Sequence, residues 1–469
     1  MTDVVIIGGG PAGYEAALVG SQLGGQVTLI ERTGMGGAAV LTDVVPSKTL
    51  IATAEVMAKI GQAEQLGLGL ASGEPLAQAI AVDLGTVNRR VMALAKAQSS
   101  DIRERLLHEG VRLIAGSGRL NGTSEVIATT DQGEQGLPAD IILIATGGTP
   151  RALPTAQPDG ERIFNWTQIY NLDRLPERLI VVGSGVTGAE FASAYNALGV
   201  DVVLVSSRHQ VLPGQDDDAG RVVQGVFERS GMTILSQARA ESAHREGDEV
   251  VVTLAGGETV RGSHCLMAVG ATPNTHGLGL AEAGVEVNGS GQIIVDKVSR
   301  TSARGVYAAG DCTGVFALAS VAAMQGRIAM WHSLGDAVSP LNLRTVSSNV
   351  FTAPEIATVG VTQAQVDAGL VRALAVMLPL PRNARAKMQG VRDGFVKIFC
   401  LPTTGIVVGG VAVAPSASEL IHPLSIAVSA KLTVDQLANA FTVYPSLSGS
   451  LAEAARRLHG HSAEQVVSF

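Results

Sequence analysis

The sequence predicts an α/β fold built on two copies of one strand–turn–helix–strand unit. Its 469 residues exceed what one core organises, and at roughly 100 to 200 residues per domain they suggest three units. The composition is 46% apolar with 3% aromatics and 56 glycines, which suits small-residue packing of helices on parallel sheets rather than a β-sandwich. The pattern Gly-x-Gly-x-x-Gly occurs at Gly8 and again at Gly183, each time between an apolar run and an alanine-containing helical stretch.

In the first unit a strand over residues 4–7 runs into Gly8-Gly9-Gly10-Pro11-Ala12-Gly13, and a helix follows to about residue 20. Gly8 permits the tight turn, Gly10 lets backbone approach a pyrophosphate, and Gly13 lets helix pack on strand, while the helix N-terminus offers N–H donors to the anion. A second strand, 27–30, ends at Glu31, whose carboxylate is placed to accept ribose hydroxyls and to repel a 2′-phosphate.

The second unit repeats this order: strand 179–182, Gly183-Ser184-Gly185-Val186-Thr187-Gly188, a helix through 198 and a strand over 202–205. Ser206 stands at the offset of Glu31, and Arg208 and His209 follow it. Such a pocket accepts a 2′-phosphate through a charge-assisted contact, the alternative for Arg208 being a solvated loop cation. The first site therefore suits FAD and the second NADPH, with NADH also accommodated. Two Rossmann-type sites in one chain point to electron transfer between two dinucleotides.

Further strand ends divide the chain. "DIILIATGGTPR" (140–151) is a buried strand breaking at Ala145-Thr146-Gly147, and "CLMAVGATPNT" (265–275), with Gly270 at its break, repeats that design. These mark two crossings between domains. "GVYAAGDC" (305–312) ends in Asp311, placed either in an ordinary turn or to hydrogen-bond a polyol chain, and a small-residue helix over 318–328, opening at Ala319, points its N-terminus toward a flavin ring.

These residues, with Gly36-Gly37 ahead of Pro46-Ser47-Lys48, "GSGVTGAE", "YAAGD", "VFTAPEIATVGVT", "GFVKI" and "ASELI", occur in the order found in the flavoprotein disulfide reductases, and the chain resembles that family, the lipoamide dehydrogenases and glutathione reductases, over its whole length. The resemblance implies an FAD domain at 1–150 and 276–344, an NAD(P)H domain at 151–275, an α+β dimerisation domain at 345–469, and a homodimer whose active sites take residues from both subunits. It also implies that Gly37 lines the flavin site, that Lys48 places an ammonium near the flavin ring, and that Glu190 is its ion-pair partner; the alternative is two ordinary helix-surface charges.

The chain departs from the family where the chemistry is done. The family pattern Gly-Gly-Thr-Cys-x-Asn-x-Gly-Cys-x-Pro-Ser-Lys is here "GGAAVLTDVVPSK" (36–48), with Ala39 and Val44 at the cysteine positions. The family's C-terminal His-Pro-x-x-x-Glu is Tyr444-Pro445-Ser446-Leu447-Ser448-Gly449. Loss of both thiols, the base and its acid removes disulfide chemistry as a unit. The expectation is an FAD-dependent NAD(P)H dehydrogenase that passes electrons to a quinone-like acceptor, with Tyr444 of a partner bordering the acceptor pocket or else packing at the dimer interface. Two alternatives remain open: a soluble pyridine-nucleotide transhydrogenase, and a retired scaffold or redox-sensing binding protein.

The net charge of −8 carries no basic block, so nucleic acid and anionic lipid are not expected partners. No apolar run approaches the ~20 residues of a membrane span, and a strand at residues 1–8 leaves no room for a leader, so a cytoplasmic protein is expected. Cys265, Cys312 and Cys400 show no metal or redox spacing. No metal is expected: His459 and His461 read as tail, and Asp216-Asp217-Asp218 as a solvated loop.

Overall fold

The computed structural model describes residues 1–76 and 79–459. Its first sheet is entirely parallel, in the order Val306–Ala308, Ile141–Ile144, Asp3–Ile7, Gln26–Glu31, Arg112–Ala115. The second sheet, also parallel, runs Ile163–Asn165, His264–Met267, Arg178–Val182, Asp201–Val205, Thr233–Leu235. The two have the same plan because both are buried on two faces: Ile141–Ile144 is buried throughout, as is Arg178–Val182 past its first residue. Each sheet carries a three-stranded antiparallel appendage, at 117–138 and 240–262.

The elements expected around the two glycine loops stand within a residue or two of their positions, while the helix expected over 318–328 runs on to Ser333. The helix after the first glycine loop is Pro11–Gln22 and its counterpart is Val186–Ala197. The two crossings meet as a short antiparallel ribbon, Gly148–Pro150 against Ala271–Pro273. Thr146 and Asn274 fasten it: Thr146 Oγ1 donates to Asn274 O at 2.7 Å, and Asn274 Nδ2 to Thr146 O at 3.0 Å.

The C-terminal unit is a five-stranded antiparallel sheet, ordered Ser347–Val350, Glu355–Gly360, Val407–Ala414, Phe395–Cys400, Leu374–Pro379, covered by short helices. It packs on both nucleotide-type units. Leu50, Ile51 and Ala54 share one core with Phe191, Tyr195, Val350 and Ile356.

The acidic run is not solvated as the sequence suggests. Asp216 Oδ1 caps the helix Asp217–Arg229 by accepting from Asp218 N and Ala219 N. Its other oxygen lies 2.7 Å from Lys397 Nζ, which also reaches Asp218 at 2.7 Å. Lys397 and Asp216 side chains are each 3% exposed, a burial that only pairing makes tolerable. Asp217 alone behaves as expected and is exposed. His459 pairs with Asp435, and His461 lies outside the described residues. Among the described residues no helix is long and apolar enough to cross a membrane.

Candidate functional site

The two glycine loops are steric copies of each other. At Gly8 (φ 107°) a Cβ would sit 2.2 Å from Ala145 O, and at Gly183 (φ 111°) 2.2 Å from Ala268 O. At Gly13 and Gly188 it would sit 1.8 Å from the carbonyls of Gly8 and Gly183. These four positions exclude any side chain. Gly10 and Gly185 differ: a Cβ there meets nothing within 4 Å, so each opens on free space, and each precedes a helix with no side-chain cap. Open space facing unsatisfied helix N–H groups fits a pyrophosphate in both places.

The segment 36–48 seats on the first loop. Gly36 N donates to Gly9 O at 2.8 Å, and a Cβ on Gly37 (φ 55°) would lie 2.9 Å from Gly10 Cα. Glu31 braces the same loop, its Oε2 accepting from Gly9 N and its Oε1 from Thr33 N and Oγ1, all at 2.7 Å. Asp311, at the turn after Val306–Ala308, is exposed and among the described residues makes no side-chain hydrogen bond or ion pair, leaving acceptors for a polyol chain. Ala319 opens the helix Ala319–Ser333, whose N-terminus likewise lacks a side-chain cap. That helix lies so close to the first that a Cβ on Gly326 would meet Ala12 O at 2.1 Å. The residues present therefore fit FAD in the first unit.

In the second unit Ser206 is fully buried; its Oγ lies 2.7 Å from Ser184 Oγ and accepts from Arg208 N at 3.2 Å. Its hydroxyl shapes the loop, and what it offers a nucleotide is the absence of an acid. Arg208 and His209 are exposed just beyond it, and Arg208 forms no ion pair among the described residues. Its carbonyl accepts from Gln237 N at 2.8 Å, which fixes the loop while leaving the guanidinium available. Gly147 and Gly270, both at positive φ, leave open space beside the two crossings.

Lys48 lies in the first turns of the helix Val44–Gln62, which packs against Val186–Ala197. Its Nζ sits 2.7 Å from Glu190 Oε2 and 5.0 Å from the centroid of the Phe351 ring. Glu190 Oε1 accepts from Phe351 N at 2.9 Å. The pair is no set of surface charges: the Glu190 side chain is 4% exposed and that of Lys48 26%. Both Glu190 oxygens are occupied, so the carboxylate holds the ammonium at one place.

Two participants escape sequence reasoning. Phe351 contributes a backbone N–H and a ring face, neither of which has a signature in the sequence. Asp43 lies inside the segment 36–48 at the N-cap position of Val44–Gln62, yet its side chain does not cap that helix. Burial pushes its carboxyl up to about 6, Lys48 pulls it down, and Glu190 and Asp311 push it up. As the lone acid in that segment, it was visible.

Tyr444 stands 85% exposed beside exposed Phe441 and Val443, and within one chain it does not join the Lys48–Glu190 pair. The three cysteines are free and buried. Burial pushes Cys265 up to about 12 and Cys312 and Cys400 up to about 11, so none is a thiolate near neutrality.

Comparison with known proteins agrees with this geometry. Residues 2–326 match the family described as pyridine nucleotide-disulphide oxidoreductase, and residues 346–455 match its dimerisation domain. A protein of Mycobacterium tuberculosis named NAD(P)H dehydrogenase (quinone) is 53% identical over 98% of this chain and 94% of its own length. A dihydrolipoyl dehydrogenase of Zymomonas mobilis is 31% identical over 98% of each chain. The crystal structure of LpdA from Mycobacterium tuberculosis, 53% identical, superposes with a TM-score of 0.92 over 98% of this chain and 100% of that one.

Proposed function

This chain belongs to the pyridine nucleotide-disulphide oxidoreductase family, and from that premise we propose that it is an FAD-dependent NAD(P)H dehydrogenase delivering electrons to a quinone-like acceptor. The observation that carries the reading is a part-buried Lys48–Glu190 pair at the end of a segment that holds no thiol. Bound FAD would supply a carrier that takes a hydride equivalent from NAD(P)H and yields it to the acceptor.

The chain's own residues supply the rest. The Gly8–Gly13 loop, Glu31, Gly37, Asp311 and the helix opening at Ala319 bind and orient FAD across residues 1–150 and 276–344. The Gly183–Gly188 loop, Ser206, Arg208, His209 and Gly270 take NADPH, with NADH accepted, in residues 151–275. Lys48 Nζ places a fixed cation where negative charge develops, and Glu190 and Phe351 keep it there. Ala39 and Val44 make the face opposite the nicotinamide small and apolar, which suits a flat acceptor. The dimerisation-domain match and the exposed Phe441, Val443 and Tyr444 support a homodimer in which the partner's Tyr444 borders the acceptor pocket. We read the protein as cytoplasmic, where three unpaired thiols persist.

The name of the 53% identical relative favours a quinone over a second nicotinamide as acceptor. Steady-state turnover of NADPH against benzoquinone, thio-NAD and lipoamide tests the reading. Benzoquinone is expected to turn over with parallel double-reciprocal plots, and lipoamide not at all. Lipoamide turnover or a thiolate-to-flavin charge-transfer band would sink it, and faster turnover with thio-NAD would make it a transhydrogenase. In Tyr444→Ala, bleaching of the flavin by NADPH should be unchanged while quinone reduction slows.

A further inference from the structure

We propose that Asp43 donates the proton that a quinone-like acceptor takes up at an oxygen. The inference rests on the quinone reading above and assigns its missing proton.

Reduction of a quinone by NAD(P)H consumes one proton: NAD(P)H, a proton and the quinone become NAD(P)⁺ and a hydroquinone. NAD(P)H supplies the hydride equivalent, two electrons and one hydrogen. The second hydrogen reaches the acceptor from elsewhere, and the acceptor face has lost the thiols and the histidine base that the family pattern would place there. Lys48 is already committed, its Nζ held at 2.7 Å by the buried Glu190 carboxylate.

Asp43 has the features of a donor. It is half-buried, one residue before Val44, which stands at one vacated cysteine position. An aspartate at a helix N-cap ordinarily accepts from the first helical N–H groups. Asp43 does not, and its carboxylate makes no hydrogen bond or ion pair among the described residues. Its backbone is what anchors it: its N donates to Ala38 O and its O accepts from Ser47 N, both at 2.8 Å. The side chain is thus placed by the turn and left chemically uncommitted.

The groups within electrostatic reach come from every element packed around it: Lys48 on its own helix, Glu190 on Val186–Ala197, Asp311 on the turn after Val306–Ala308, and Tyr170 on the turn Ile169–Asn171. Burial is the main influence and holds the carboxyl at about 6, where an acid both keeps and gives up a proton near neutral pH. In the step itself the O–H bond of the carboxyl breaks, an O–H bond forms on the hydroquinone, and water re-protonates the carboxylate.

The test compares wild-type holoenzyme with Asp43→Asn and Asp43→Glu. Benzoquinone requires a proton; ferricyanide takes electrons alone. Turnover of benzoquinone should fall about 10²-fold or more in Asp43→Asn, with ferricyanide turnover and flavin content unchanged and partial recovery in Asp43→Glu. Infrared difference spectra of the protein across pH 5 to 7, recorded without substrate, should show a carboxyl titration that Asp43→Asn removes. An equal fall with both acceptors, no fall with either, or an unaltered infrared titration overturns the proposal. A wild-type protein bleached by NADPH that reduces no benzoquinone overturns the quinone reading and this inference together, a result distinct from wild-type turnover that Asp43→Asn matches.

Discussion

Lys48 Nζ lies 2.7 Å from Glu190 Oε2, which ties the segment beneath one dinucleotide loop to the first helix of the other. The contact joins positions 142 residues apart, and Phe351 N closes it from the C-terminal unit at 2.9 Å. Three parts of the chain converge on one carboxylate.

Lys48→Met should therefore have two separable effects. Removing a positioned cation is expected to slow reduction of the flavin by NADPH by about 10²- to 10³-fold. It also leaves Glu190 buried without its counter-charge, at about 3 to 5 kcal/mol of stability. Adding Glu190→Gln, which still accepts from Phe351 N, should recover most of the stability and none of the rate. Stopped-flow bleaching and denaturant titration measure the two separately.

The glycines of the first loop should divide by role. Gly13→Ala places a methyl 1.8 Å from a backbone oxygen, so about 1 to 3 kcal/mol or more of folding stability is lost. Gly10 has φ −69° and open space ahead, so Gly10→Ala should melt like wild type as apoprotein while FAD affinity drops at least about tenfold, because the methyl occupies the anion's position. Thermal melts of apoprotein and flavin retention on gel filtration distinguish them.

Arg208→Ala should weaken NADPH by about 1.5 to 3 kcal/mol, roughly ten- to a hundredfold, and leave NADH nearly unchanged. Equal losses for both nucleotides would place the guanidinium outside the pocket. Isothermal titration with each nucleotide reads the difference directly.

Asp43 makes stability depend on pH in a stated direction. Its folded value of about 6 lies above the ordinary aspartate value of 3.8, so the unfolded chain ionises first as pH rises. Below about 4 both states are protonated and the residue contributes nothing. Between about 4 and 6 the folded state falls behind, and above about 6 the cost is complete, of order 2 to 3 kcal/mol. Asp43→Asn should match wild type near pH 4 and exceed it at pH 7 to 8. Chemical denaturation at the two pH values checks this, and equal differences at both would contradict it.

The fold was legible wherever its determinants are local. Strand, glycine loop, helix and strand are specified by neighbours in sequence, so the two units are found within a residue or two, and Lys48 and Glu190 follow from motif context. What sequence reasoning misses depends on distant partners. Asp216 reads as solvated because Lys397, its partner, is 181 positions away. Asp43 carries no signal of its own beyond being an acid, because what distinguishes it is burial among Lys48, Glu190 and Asp311, and two of these lie far away in sequence. Phe351 N leaves no trace, since every residue but proline carries that donor.

The clamp of Lys397 on Asp216 and Asp218 bears on how this protein can be recombined with its relatives. The loop carrying Arg208 and His209 starts on the nucleotide sheet, but it ends at a helix cap gripped by the strand Phe395–Cys400. A chimera that exchanges the nucleotide unit alone inherits one half of that grip. A donor lacking the two acids leaves the Lys397 ammonium stranded in the interior, at about 3 to 5 kcal/mol, and the loop loses its anchor. Cofactor preference in this scaffold is therefore portable only as a discontinuous module, one whose last residue lies in the C-terminal sheet.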